Sequence, residues 1–282
     1  MRGFQQICHK LNTAFLKPHL PAISRFLTVA TFYEDAIRIC YQWPHQTKYL
    51  MLMHHLTRPV AITFLVANVL IMTFFATCII SRKMMGVSVS VLTLVMAIQA
   101  FAYGILFDTY FFLRNLSVLG GLLLCLSESI LSRTKVSNDI RLWVAMPLQH
   151  PGTKECYQYI QLAGRTLTVL VFFAYLFIGD GGKHLTSNVY FRLLIAAVGL
   201  TACSMIIIGF KAKYSATILL CILCLVNILA NNWWDGRYST YRRDFLRYDF
   251  FQYLSIIGGL MTLVATGPGG LSYDEQKKRK QF

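Results

Sequence analysis

Thr31-Phe32-Tyr33-Glu34-Asp35-Ala36-Ile37-Arg38-Ile39-Cys40-Tyr41-Gln42-Trp43 is an apolar segment of helical length that nevertheless carries two acids and a base. In a helix Glu34 stands four residues and Asp35 three residues before Arg38, so the three groups share one face and partly neutralise one another. Tyr33 and Trp43 are amphipathic aromatics of the kind that gather where a membrane meets water. Lipid cannot solvate an ionisable group, so at membrane depth such a group faces protein or a wet cavity and marks a functional site. Two readings stay open: an internal salt bridge that orients the helix, or a ligand-facing site.

The composition sets the solvent. The 282 residues are 56% hydrophobic and 14% charged, with a mean hydropathy of +0.51, too apolar for a water-soluble domain of this size. A net charge of +15 could suggest nucleic acid, but the Lys and Arg residues sit in short stretches between apolar runs, which is a topology signal instead. Residues 1–17 lack the continuous apolar core and small-residue site of a cleavable signal peptide, so the first span is expected to act as its own targeting signal. The eight cysteines are scattered, and Cys221-x-x-Cys224 in an apolar run reads as packing rather than as a metal or redox pair.

A spanning helix needs about 20 mainly apolar residues. Segments at roughly 21–43, 57–80, 86–107, 109–131, 159–179, 189–210, 214–234 and 247–266 approach that requirement. The first is weakened by Arg25, Glu34, Asp35 and Arg38, so an interfacial helix is its alternative. With an inside amino terminus, fifteen Lys and Arg residues fall on the inside and eight opposite, which puts both termini in the cytosol. The expected organisation is a cytosolic segment 1–20, a four-helix unit 21–131, a polar cytosolic linker 132–158, a second four-helix unit 159–266 and a cytosolic tail 267–282.

The two units resemble each other. Arg25-Phe26-Leu27-Thr28-Val29 and Arg165-Thr166-Leu167-Thr168-Val169 open the first and fifth spans, 140 residues apart. Asn115-Leu116-Ser117-Val118-Leu119-Gly120-Gly121 in the fourth matches Tyr253-Leu254-Ser255-Ile256-Ile257-Gly258-Gly259 in the eighth, 138 residues apart. An even number of spans per unit makes this a parallel repeat, and paired glycines suit close helix approach. The fold class expected is an all-α polytopic membrane protein of about eight transmembrane helices in two parallel four-helix repeats.

No Gly-rich phosphate loop, metal array or nucleophile with an arguable partner is present, so neither an enzyme nor a cofactor or metal is called for. His54-His55 reads as solvated. Acids instead recur at the luminal level: Glu34, Asp35, Asp108, Asp180, Asp235, Asp244 and Asp249. Together with Arg38, Asn227, Asn231, Trp233, Trp234 and Tyr248 they are candidates for an acidic pocket with aromatic walls. For Asp244 the competing reading is a surface pair with Arg243.

Five stretches carry a resemblance. They are Thr31 to Arg38 with Tyr41-Gln42-Trp43, Gln161-Leu162-Ala163-Gly164-Arg165, Gly209-Phe210-Lys211-Ala212-Lys213, Phe245 to Gln252, and Gly267-Pro268-Gly269-Gly270-Leu271-Ser272-Tyr273-Asp274-Glu275. In content and order they resemble the surfeit-locus-protein-four family of cargo receptors, and the four-helix units resemble the DoxX-like membrane fold. The resemblance implies a receptor of the endoplasmic reticulum membrane that cycles through the Golgi. It would bind soluble secretory proteins in the lumen through short hydrophobic amino-terminal signals, load them into COPII vesicles and return by COPI. Lys278 and Lys280, fifth and third from Phe282, have the spacing of a Lys-x-Lys-x-x retrieval signal. The implied partners are secretory cargo, both coats and membrane lipid, with no nucleic acid, and a homo-oligomer is left open. A small-solute or lipid transporter is the competing class, since parallel repeats and intramembrane charges suit it equally.

Overall fold

A computed structural model describes residues 19–104, 107–144, 152–172 and 189–275. Among these residues the regular structure is all helical. The helices are α1 (19–28), α2 (Ala30–Tyr41), α3 (Trp43–His54), α4 (Arg58–Ile80), α5 (Met85–Ala102), α6 (Thr109–Val144), α7 (Gly152–Thr168), α8 (Val189–Ile208), α9 (Ala212–Ala230) and α10 (Thr240–Thr266). Helix α6 packs on α7 and α10, and α10 on α2 and α9; α4 with α5 and α8 with α9 flank this centre.

Five described helices are long and apolar enough to cross a membrane: α4, α5, α6 over Thr109–Ser132, α9 and α10. Helix α8 is apolar over Leu194–Ile208, and the expected fifth span is described only as far as residue 172. The expected first span is not one helix: a turn at Val29 separates α1 from α2, with the Phe32 N–H bonded to the Val29 carbonyl at 3.1 Å. Beside that turn the Thr31 N–H donates to Ser255 Oγ on α10 at 3.0 Å. A side chain that enters a helix ladder in this way bends it. Within the stretch expected as a linker, α6 stays helical to Val144 and α7 begins at Gly152. His54 lies exposed on α3, with Nε2 2.7 Å from the Ala102 carbonyl.

The centre depends on absent side chains. Gly121 and Gly259 face each other across α6 and α10, where a Cβ added to Gly259 would stand 2.6 Å from Gly121 Cα. A Cβ on Gly258 would stand 2.4 Å from the Thr28 nitrogen, and one on Gly120 2.4 Å from the Thr168 nitrogen. Hydrogen alone at these positions lets α1 and α7 seat their threonine turns against the crossing. Val169 also occupies a turn, with the Phe172 N–H bonded to the Val169 carbonyl at 3.1 Å. The turns after α4 and α8 match too. Arg82 and Met84 have φ of 58° and 47°, Gly209 and Lys211 78° and 44°. Ser88 and Ser215 then donate to the carbonyls of Met84 and Lys211 at 3.0 and 3.5 Å.

Gly258→Ala is expected to lower stability by roughly 1–3 kcal/mol through overpacking against the Thr28 backbone. Gly86→Ala, where nothing lies within 4 Å, serves as the control. Thermal melting of both variants in detergent checks this: equal melting temperatures would show that the crossing yields freely.

Candidate functional site

The end of the bundle that carries Trp43, Trp233 and Trp234 gathers most of the expected acids. Arg38 Nη2 lies 2.5 Å from Asp35 Oδ1, and its Nε 3.8 Å from Glu34 Oε2. The one-face spacing thus produces the cluster read from the sequence. A second base arrives from α10, where Arg247 Nε reaches Glu34 Oε1 at 3.2 Å. Glu34 and Asp35 are buried, while the side chains of Arg38 and Arg247 keep 24% and 25% exposure. The carboxylates therefore sit beneath two cations that still touch the outside.

Beside this cluster, Arg114 of α6 forms an ion pair with Asp249 of α10, and the arginine is 1% exposed. The Tyr248 ring joins the two groups, with Arg38 5.0 Å from its centroid and Arg114 5.3 Å. Phe111 stacks on the same tyrosine at 6.2 Å. Gln252 donates to the Tyr248 hydroxyl and to Asn115 Oδ1, and the Tyr110 and Tyr253 hydroxyls meet at 2.9 Å. Three acids, Glu34, Asp35 and Asp249, are thus balanced by three arginines, Arg38, Arg247 and Arg114. Thr31, Asp35, Gln99, Asn115, Tyr248 and Gln252 border a cavity of about 20 Å³. That volume suits about one water; a peptide side chain needs the cluster to move.

Other candidates lie outside this cluster. Asp108 caps α6, its Oδ1 accepting from the Tyr110 and Phe111 N–H groups at 3.0 and 3.1 Å. Asn231 donates to Asn227, which donates to the Phe250 carbonyl at 3.1 Å, so this pair ties α9 to α10. Trp233 and Trp234 make edge contacts with each other, and Trp234 with Phe250 at 6.0 Å. Asp244 accepts from Gln42 Nε2 at 2.7 Å, whereas Arg243 turns to the Trp233 carbonyl, so the expected Asp244 and Arg243 pair does not form. Hydrogen bonds from the Arg237 guanidinium hold the Asp235 carboxyl below its usual range. Both lie on the surface, where such a pair contributes little. Asp180, Lys278 and Lys280 lie outside the described residues.

Sequence reading missed a cluster at the opposite end, near Lys83. Glu128 on α6 accepts from Arg25 at 3.0 Å and from Arg82 at 2.5 Å. It also missed the partnership of Arg114 with Asp249. The available signal was that every charge inside an apolar span needs an opposite charge within reach. Among the described residues no group of three or more His, Cys, Asp and Glu gathers as a metal site.

Arg114→Leu leaves Asp249 buried without its cation, at a cost of roughly 3–5 kcal/mol, and Arg114→Leu with Asp249→Leu recovers most of that loss. Melting of the single and double variants in detergent checks this. A double variant no more stable than the single would remove the pairing as the source.

With the geometry in place, comparison with known proteins is specific. A sequence profile described as the SURF4 family matches residues 5–280. A Schizosaccharomyces pombe protein named Surfeit locus protein 4 homolog is 39% identical over 261 residues, covering 93% of this chain and 82% of the relative. The Saccharomyces cerevisiae ER-derived vesicles protein ERV29 is 39% identical over 263 residues, covering 93% and 78%. A Drosophila melanogaster Surfeit locus protein 4 homolog is 33% identical over 260 residues, covering 92% and 90%. No solved structure matches the chain. A profile match across nearly the whole sequence, joined to relatives aligned over most of their own length, means that the chain belongs to the SURF4 family.

Proposed function

We propose that this protein is a cargo receptor of the endoplasmic reticulum membrane. It binds soluble secretory proteins in the lumen through short hydrophobic amino-terminal signals, loads them into COPII vesicles and returns by COPI. The observation that carries the reading is the alignment over nearly the whole chain with a relative whose name refers to ER-derived vesicles. In this reading the end with Glu34, Asp35 and Trp43 is luminal and both termini are cytosolic, as the Lys and Arg asymmetry favours.

The architecture proposed for it is eight spans in two parallel four-helix units. Supporting this are the paired contacts of Thr28 with Gly258 and Thr168 with Gly120, the turns at Val29 and Val169, and the matched turns after α4 and α8. Capture of a cargo amino terminus needs fixed acceptors for its ammonium. Asp35 and Glu34 serve by exchanging Arg38 or Arg247, the partly exposed members of the cluster, for the incoming cation. Tyr248, with Trp233 and Trp234 further out, supplies apolar wall for the residues that follow. Asp108, Asn227, Asn231 and Asp249 hold the helices that carry this surface.

Acute depletion followed by proteomics of secreted and retained luminal proteins tests the reading. A receptor leaves a defined set behind, which the wild type restores and Asp35→Asn, reaching its normal location, does not. Uniform slowing of all secretion would overturn it. Lys278 and Lys280 form the proposed return signal, read by position from the carboxyl terminus. A few alanines added after Phe282 keep every charge but shift the register, so the protein is expected to leak to the Golgi by immunofluorescence. An unchanged location would mean that total charge, acting on anionic lipid, is what matters.

A further inference from the structure

Arg165 on α7 is fully buried, and among the described residues its Nε and Nη1 have no hydrogen-bond partner. A buried guanidinium without an acceptor is strongly disfavoured unless an anion completes it. The residue at the same register 140 positions earlier shows what completion looks like: Arg25 pairs with Glu128, which also binds Arg82. The equivalent of Glu128, 138 positions later, is Thr266, whose hydroxyl donates to its own helix at the Thr262 carbonyl. The equivalent of Arg82, after the matched turn, is Gly209. A Cβ there would stand 2.7 Å from Arg165 Nη1. The guanidinium has therefore kept its place while its carboxylate has been replaced.

The surroundings favour an anion from the membrane. Lys213 Cε lies 3.0 Å from where a Cβ of Gly267 would be, and Lys211 lies over the Phe210 ring at 5.8 Å, so two more cations stand at this end. The strap that follows α10, residues 267–275, covers Arg165 with Ser272. The strap is tied to the α8–α9 turn by the Asp274 N–H to the Gly209 carbonyl at 3.3 Å and by Tyr273 against Phe210. Gly267 and Gly269, with φ of 87° and 82°, give it hinge positions. Outside the strap runs a groove of about 570 Å³ bordered by Leu200, Ser204, Met205, Ile208, Phe210 and Tyr273. It is mostly apolar and begins where the strap meets the turn.

We propose that this end binds one anionic phospholipid, its headgroup phosphate on Arg165 beneath the lifted strap and an acyl chain in the groove along α8. The inference does not depend on cargo recognition at the opposite end. Full-length protein in nanodiscs of phosphatidylcholine with a minor share of phosphatidylinositol, analysed by native mass spectrometry, is the test. The wild type is expected to retain phosphatidylinositol with roughly tenfold preference, because phosphatidylcholine offers the same phosphate but adds a choline cation at an end already holding Arg165, Lys211 and Lys213. Thr266→Glu, which supplies the carboxylate present in the first cluster, and Ser204→Trp, which fills the groove from its exposed side, should each lose that preference. Thr266→Glu should melt no lower than the wild type in pure phosphatidylcholine. A wild type without preference, or a folded Ser204→Trp protein that keeps it, overturns the proposal. Inorganic phosphate that stabilises the protein in phosphatidylcholine as well as the anionic lipid does would also overturn it, because the anion would then need no chain.

Discussion

The contact of Gly121 with Gly259 is the constraint from which the other placements follow. Between helices in lipid there is no hydrophobic drive to separate protein from solvent, so close packing and polar pairing must hold them. Backbone contact at this point brings α6 and α10 near enough for both. On α6 the decisive residues are Arg114, Gly121 and Glu128, each seven residues, or about two turns, from the next. They therefore lie on one face, with an ion pair to Asp249 above the crossing and one to Arg25 below it. A side chain at the crossing would lengthen both pairs together.

Charge then decides what each end can do. At the tryptophan end the three acids and three arginines are matched, and Tyr248 lies between two guanidinium groups as a polarisable spacer. A balanced cluster is stable closed, yet its outermost members are long, partly exposed side chains. That combination suits a surface that exchanges one cation for another better than one that holds a vacant acidic pocket. At the lysine end the balance is uneven: one acid serves two arginines around Glu128, while Arg165 has no acid paired with it among the described residues. In the proposed repeat the places of Glu128 and Arg82 are taken by Thr266 and Gly209.

Much of this was legible in the residues. The spacing of Glu34, Asp35 and Arg38 gave their mutual contacts, because i to i+3 and i+4 neighbours meet whatever the tertiary fold. Apolar run length gave α4, α5 and α9 to within a few residues, and the end of α10 but not its start at Thr240. The Gly-Gly repeat marked the crossing for the same reason: only a backbone contact needs two glycines at equivalent places. What could not be read were partners distant in the chain. Arg247 stands at the edge of its apolar run, and nothing local shows that α10 begins at Thr240 and carries it to Glu34. The break at Val29 was equally hidden, because valine does not break helices by itself; the cause lies on α10, where Ser255 takes the Thr31 N–H and Gly258 leaves room for the Thr28 backbone. Asp244 was assigned to its neighbour Arg243, but Gln42 was nearer once α2 and α10 packed.

The reach of the first helices has a consequence for how the protein is made. Arg25 waits 103 residues for Glu128, and Glu34 waits 213 for Arg247. Until those segments leave the ribosome, α1 and α2 carry charges with no remote partner, and in the proposed eight-span architecture these would stand at a depth where lipid rejects them. Only Arg38, close by in the same helix, is present from the start. The amino-terminal segment is thus poorly suited to settle in the bilayer when it first emerges and well suited to settle last, when α10 arrives. Nascent chains must be sheltered through that interval. A lesion in α10 would then act as a defect in retaining the first helix, far away in sequence, and would draw quality control before any question of ligand arises.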